Sequence, residues 1–170
     1  MYKTTATGLF RSRYPVLAFA VLCMVVATTA STVPASPAPT NVIICIGDGM
    51  GLTQVEIGRM YKGAPLCFET WTNSATVNTA SANSNITDSA ASATAIATGT
   101  RVNNGVLSLA IPGDGLELAT MLELFKSAGK KTGLITTVSV TDATPAAFAA
   151  HVKNRADRPG VTRCYFTRAR

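Results

Sequence analysis

The stretch Thr87-Asp88-Ser89-Ala90-Ala91-Ser92-Ala93-Thr94-Ala95 constrains this chain more than any other, because a polar tripeptide passes without a break into small, helix-permissive residues that end at Gly99. Asp and Ser at the entrance suit an N-cap and first turn, and glycine suits the exit. Ala, Ser and Thr from Ala90 to Thr98 let such a helix lie close against a sheet and hold the Ser89 hydroxyl rigidly. The positive end of the helix dipole there faces any bound anion. The same residues also describe an ordinary capped helix, so the stretch alone leaves both readings open.

With 47% hydrophobic and only 14% charged residues, the 170-residue chain is expected to fold around a core rather than remain disordered. Its net charge of +6 is uneven. Lys3, Arg11 and Arg13 lie in residues 1–30, and four arginines oppose Asp157 in residues 156–170, so residues 31–155 hold eight basic and eight acidic side chains. The body is neutral, with no basic stripe and interleaved aromatics, which excludes a nucleic-acid partner.

Residues 1–35 read as a signal peptide and the start of a linker. Three basic residues precede an apolar run from Val16 to Ala27, followed by small residues at Thr28-Thr29-Ala30 and Val33-Pro34-Ala35. The run falls short of the roughly 20 residues of a membrane span, although an uncleaved anchor stays open. Pro34 to Thr40 is linker-like. Cys45, Cys67 and Cys164 have no zinc-finger spacing, and Cys45, within an apolar run, is expected to be a buried small hydrophobe.

Asn41-Val-Ile-Ile-Cys-Ile46 reads as a buried strand, and chemistry is expected just past its C-terminal end, at Gly47-Asp48-Gly49-Met50-Gly51. The glycines do not match a dinucleotide loop, and an acid between them would repel pyrophosphate. Asp48 is either a turn residue or an oxygen ligand for a cation. Leu52 to Tyr61 has helical spacing; Phe68 to Val77 reads as a strand or loop with Trp71 packed; Ser81 to Ile86 is coil. Asn103-Asn104-Gly105 and Pro112-Gly113-Asp114-Gly115 are turns. Leu118 to Ala128 is an amphipathic helix stopped by Gly129, with Lys130 and Lys131 solvated. Thr132 to Val138 is a second buried strand, giving an α/β order. Asp142 or Thr144 opens a helix running from Ala146 to Lys153, in which His151, the only histidine, is expected to be packed and hydrogen-bonded.

Three segments together, Ile46-Gly47-Asp48-Gly49-Met50-Gly51, Thr87 to Ala95, and Asp142-Ala143-Thr144-Pro145-Ala146-Ala147 with His151 to Arg155, resemble the alkaline phosphatase family in order and spacing. The resemblance covers about residues 41–155. It implies a three-layer α/β/α sandwich around a mixed, mostly parallel sheet, incomplete here, with residues 36–155 as the first part of the catalytic domain. It further implies phosphate monoester hydrolysis through a phosphoserine, with small phosphate monoesters as substrates and two zinc ions and one magnesium at the site. Ser89 would be the nucleophile and a zinc ligand, Asp48 would bridge zinc and magnesium, and Thr144 and Asp142 would serve magnesium directly and through water. Arg155, thirteen residues after Asp142, would clamp phosphate, with Asp88 orienting it. A secreted or cell-surface location, a homodimer and an anchor at a missing C-terminus are also implied.

Residues 156–170 turn basic and leave the pattern, and the histidines and carboxylates expected to complete the metal sites are not in the sequence. A fragment, a truncated reading frame or a frameshifted end accounts for this, and the chain alone is expected to be inactive. A related metal-dependent phosphodiesterase or sulfatase is the rival enzyme class, though those families usually place Thr or a modified Cys as nucleophile. A non-catalytic secreted phosphate-binding product is the other rival.

Overall fold

The computed structural model describes residues 40–168, so the expected signal peptide, its anchor alternative and most of the linker lie outside the described residues. The chain divides into two units at Cys45 and Ile46. In the first, residues 40–45 are exposed and belong to no helix or strand.

From Ile46 onward the elements are α1 (Leu52–Lys62), a 3-10 turn (Cys67–Thr70), α2 (Ser89–Thr98), α3 (Met121–Ser127), the single turn α4 (Ala143–Ala146) and α5 (Arg158–Arg168). Local chemistry sets most of their ends. Asp88 caps α2 by accepting from the Ala91 amide, and Gly99 closes it at φ 73°. Thr120 and Glu123 form a reciprocal capping box that starts α3 at Met121, three residues after the apolar pattern begins at Leu118. Helix α1 buries no residue, leaving Leu52, Ile57, Met60 and Tyr61 exposed. Local contacts hold it: Gln54 takes the Gly51 amide, Gly63 caps the far end, and Arg59 pairs with Glu56 and Glu69.

Helix α2 packs on α4 through methyl groups. Ala90 and Ala93 meet Ala143, Ala146, Ala147 and Ala150, joined by Leu107, Val152 and Val161. Alanine contacts bring backbones close, but each buried methyl contributes only about 0.8 kcal/mol. Buried hydroxyls add to this. Thr94 Oγ1 donates to the Val106 carbonyl (3.2 Å) and accepts from the Ser108 amide (3.0 Å); Ser108 Oγ donates to the Ala147 carbonyl (2.5 Å) and Thr120 Oγ1 to the Phe148 carbonyl (2.8 Å). Among the described residues, no buried side-chain polar atom lacks a partner. Val161 of α5 is fully buried in this core, so this helix packs onto the rest of its unit.

Three expectations fail. The expected strands at 41–46 and 132–138 form no ladder; Ile135 is fully exposed, and Cys45 and Trp71, the latter at 67%, are exposed as well. A β-branched run needs a neighbour to complete its ladder, and among the described residues the only pairings are the isolated bridges Leu107 with Val152 and Leu109 with Glu117. The helix expected from Ala146 to Lys153 stops early, because Ser108 and Thr120 take the carbonyls of Ala147 and Phe148 and Val152 turns to exchange two 3.0 Å backbone bonds with Leu107.

Candidate active site

The glycine loop after Ile46 turns at Gly49, whose φ of 65° suits glycine, and presents the Asp48 carboxylate. Its two oxygens are shared. Ser89 Oγ donates to Oδ1 at 3.0 Å, and Thr144 Oγ1 donates to Oδ2 at 2.6 Å. Ser89 stands at the first position of α2 and Thr144 within α4, so the alanine contact between those helices sets the spacing of both hydroxyls about one carboxylate.

Arg155 spans the other two acids. Its Nη1 reaches Asp88 Oδ2 at 3.3 Å and its Nη2 reaches Asp142 Oδ1 at 3.1 Å, with the guanidinium one-third exposed. The Ala143 amide, and after it Arg155, hold the Asp142 carboxyl below the ordinary carboxylate range against the opposing effect of burial. Every residue singled out in the sequence, Asp48, Asp88, Ser89, Asp142, Thr144 and Arg155, therefore joins one of two linked clusters. The α2 entrance carries a member of each, since Asp88 and Ser89 are adjacent.

Residues 39–162 match the alkaline phosphatase family, a span that includes all six of these residues and runs past Arg155. The chain belongs to the alkaline phosphatase family. It is 43% identical to the streptomycin-6-phosphate phosphatase of Streptomyces griseus over 154 residues, 84% of this chain and 34% of that protein. With the alkaline phosphatase of Escherichia coli it shares 39% over 125 residues, 68% of this chain and 26% of the other. A solved alkaline phosphatase of the Antarctic bacterium TAB5 superposes with a TM-score of 0.70 at 32% identity, covering 74% of this chain and 36% of that one. A variant of the TAB5 enzyme with magnesium bound in its M3 site gives 0.72 at 32%, covering 76% and 37%. These likenesses carry the α/β class of the alkaline phosphatase fold. The chain spans about a third or less of the length of these relatives.

In sequence the Asn103-Asn104-Gly105 segment reads only as a turn. In the structure Asn104 Oδ1 accepts from the Asp88 amide (3.1 Å), its Nδ2 donates to the Ile86 carbonyl (2.9 Å), and the Gly105 amide donates to Asp88 Oδ2 (3.0 Å). The Gly105 carbonyl takes the Arg155 amide at 2.7 Å. An Asn-Gly pair signals a turn in sequence, but nothing local tells that the turn folds back on the α2 entrance.

His151 is buried as expected. Its Nδ1 lies 2.8 Å from the Ser108 carbonyl and its Nε2 3.0 Å from Glu123 Oε1, so the only histidine is engaged at both ring nitrogens.

Proposed function

We propose that the protein hydrolyses phosphate monoesters through a phosphoserine at Ser89, with Asp48, Asp142 and Thr144 serving magnesium, Arg155 clamping phosphate and Asp88 orienting it. The observation that carries this is the Ser89 hydroxyl held 3.0 Å from Asp48 at the mouth of α2, one residue from the carboxylate that grips Arg155. Asp48 orients the hydroxyl and is placed to receive its proton. The helix entrance favours the incoming negative charge. Arg155, aimed by Asp88 and Asp142, offers a planar fork matched to two phosphate oxygens.

Formal charge argues for a cation at this site. Three carboxylates against Arg155, with Arg158 also acting on Asp142, leave it net negative, which repels a phosphate dianion. Asp48, Thr144 and Asp142 offer a hard, all-oxygen donor set of the kind magnesium accepts alongside its own waters. A bound cation there would offset the acid charge and polarise a phosphoryl oxygen. Zinc is different. The expected two-zinc site prefers nitrogen and sulfur donors, the one histidine is engaged elsewhere, and among the described residues no group of three His, Cys, Asp or Glu side chains is arranged to hold a metal ion. The residues of this chain do not fit that pair of ions, and no step is drawn through them.

The family likeness supports a three-layer α/β/α arrangement. The leader-like residues 1–35 support a secreted or cell-surface location. A homodimer follows from the resemblance. The test is to mix the protein with a chromogenic phosphate monoester at alkaline pH, with magnesium and zinc in excess, and quench in acid. Mass spectrometry should find phosphate on Ser89 with at most a single burst of chromophore and no sustained turnover, and Ser89→Ala should abolish both; an unlabelled Ser89 in the unsubstituted chain sinks the reading.

A further inference from the structure

We infer that Asn104 is a positioning residue for the nucleophile, acting as a clasp that sets where α2 begins. This rests on the reading of Ser89 as the group that attacks phosphorus. Both functional ends of the Asn104 amide are used on the three-residue approach to Ser89: the oxygen takes the Asp88 amide at 3.1 Å and the nitrogen reaches the Ile86 carbonyl at 2.9 Å. The backbone of Asn104 is itself anchored, its amide donating to Asn83 Oδ1 at 2.9 Å, and Asn83 Oδ1 also takes the Ser81 hydroxyl at 3.1 Å. Next along the chain the Gly105 amide holds Asp88 Oδ2 and the Gly105 carbonyl holds the Arg155 amide. One turn thus fixes the backbone before Ser89, the carboxylate beside it and the backbone of the phosphate-clamping arginine.

The turn conformation is needed for this. Gly105 has φ 86°, and a Cβ there would meet nothing within 4 Å, so glycine serves the backbone geometry and not a close approach. Displacing a nucleophile by about an ångström costs far more rate than stability, because attack requires near-contact alignment. The Asn104 side chain bonds to the Asp88 amide and the Ile86 carbonyl, not to Ser89 or Arg155, so its effect reaches them through Asp88 and the turn.

Two variants of the full chain test this, Asn104→Ala and Asn104→Asp. The aspartate keeps the shape and the acceptor for the Asp88 amide, but it turns an oxygen toward the Ile86 carbonyl where a donor stood. Amide hydrogen exchange and the rate of Ser89 phosphorylation by a chromogenic monoester are both measured. In Asn104→Ala the Asp88 and Gly105 amides should exchange at least tenfold faster while those of Leu107 and Val152 stay unchanged, and phosphorylation should slow at least tenfold with half-saturation within twofold. Asn104→Asp should keep Asp88 protected and still lose most of the rate.

Unchanged exchange at Asp88, or an equal rise at Leu107 and Val152, overturns the inference. So does a phosphorylation rate within twofold of the unsubstituted chain. If the unsubstituted chain labels no serine, the phosphoserine reading fails on its own. In that case the exchange pattern alone decides the clasp: a selective rise at Asp88 and Gly105 supports it, and any other pattern overturns it.

Discussion

The Thr144 hydroxyl donates to Asp48 Oδ2 at 2.6 Å across 96 residues of chain, tying a glycine loop near one end of the family match to a short helix near the other. The same carboxylate takes Ser89 through its second oxygen, so removing its charge affects cation and nucleophile together. Asp48→Asn should weaken magnesium binding at least tenfold in calorimetric titration, whereas Thr144→Ser, which keeps the hydroxyl, should stay within about threefold. Equal loss in both variants would mean that the hydroxyl is not what Asp48 and the cation use.

Zinc should bind this 170-residue chain substoichiometrically. Asp48 and Ser89 are the residues of the expected zinc set that it brings together, and His151 is committed to Ser108 and Glu123. A catalytic zinc normally takes about three protein ligands, so sustained turnover is not expected from these residues alone. Elemental analysis after dialysis is the check, and two retained zinc ions per chain would contradict the donor argument.

His151 should matter for stability more than its single contact to each side suggests. Its ring is buried, and truncation leaves the Ser108 carbonyl and Glu123 Oε1 without those bonds beside a core built largely of alanines. His151→Ala is expected to cost about 2–3 kcal/mol by denaturant unfolding, and His151→Gln to recover part of it. A cost below 0.5 kcal/mol, on the scale of an exposed substitution, would contradict this.

Tyr165 gives the fold an alkaline limit. Its hydroxyl donates to the Val140 carbonyl at 2.7 Å, and burial pushes its pKa from 10 up to about 12. Below pH 10 the phenol is neutral folded or unfolded and contributes no pH dependence. Between 10 and 12 the unfolded phenol ionises first, so stability should fall as pH rises, by up to about 2 kcal/mol after solvent screening. Tyr165→Phe has no proton to lose, and its melting temperature should decline less over that window; parallel curves would show the phenol to be irrelevant.

Local chemistry made part of this protein legible from sequence alone. Asp88 and Gly99 bound α2 because a cap and a left-handed exit are decided within a turn of chain, and the Thr120 and Glu123 box that starts α3 was equally local, though the apolar spacing from Leu118 masked it. The resemblance to the alkaline phosphatase family singled out Asp48, Ser89, Thr144 and Arg155. The tertiary structure alone decided that Asp48 is shared between two hydroxyls, that Arg155 is split between Asp88 and Asp142, and that Asn104 folds back on the α2 entrance. It also decided against the expected strands and the longer helix after Ala146. A run such as Val42 to Ile46 records only that its side chains are apolar, whereas a strand exists when another segment supplies the ladder. A helix likewise continues only while its carbonyls are left to its own amides, and at Ala147 and Phe148 they are taken by Ser108 and Thr120 from elsewhere in the chain.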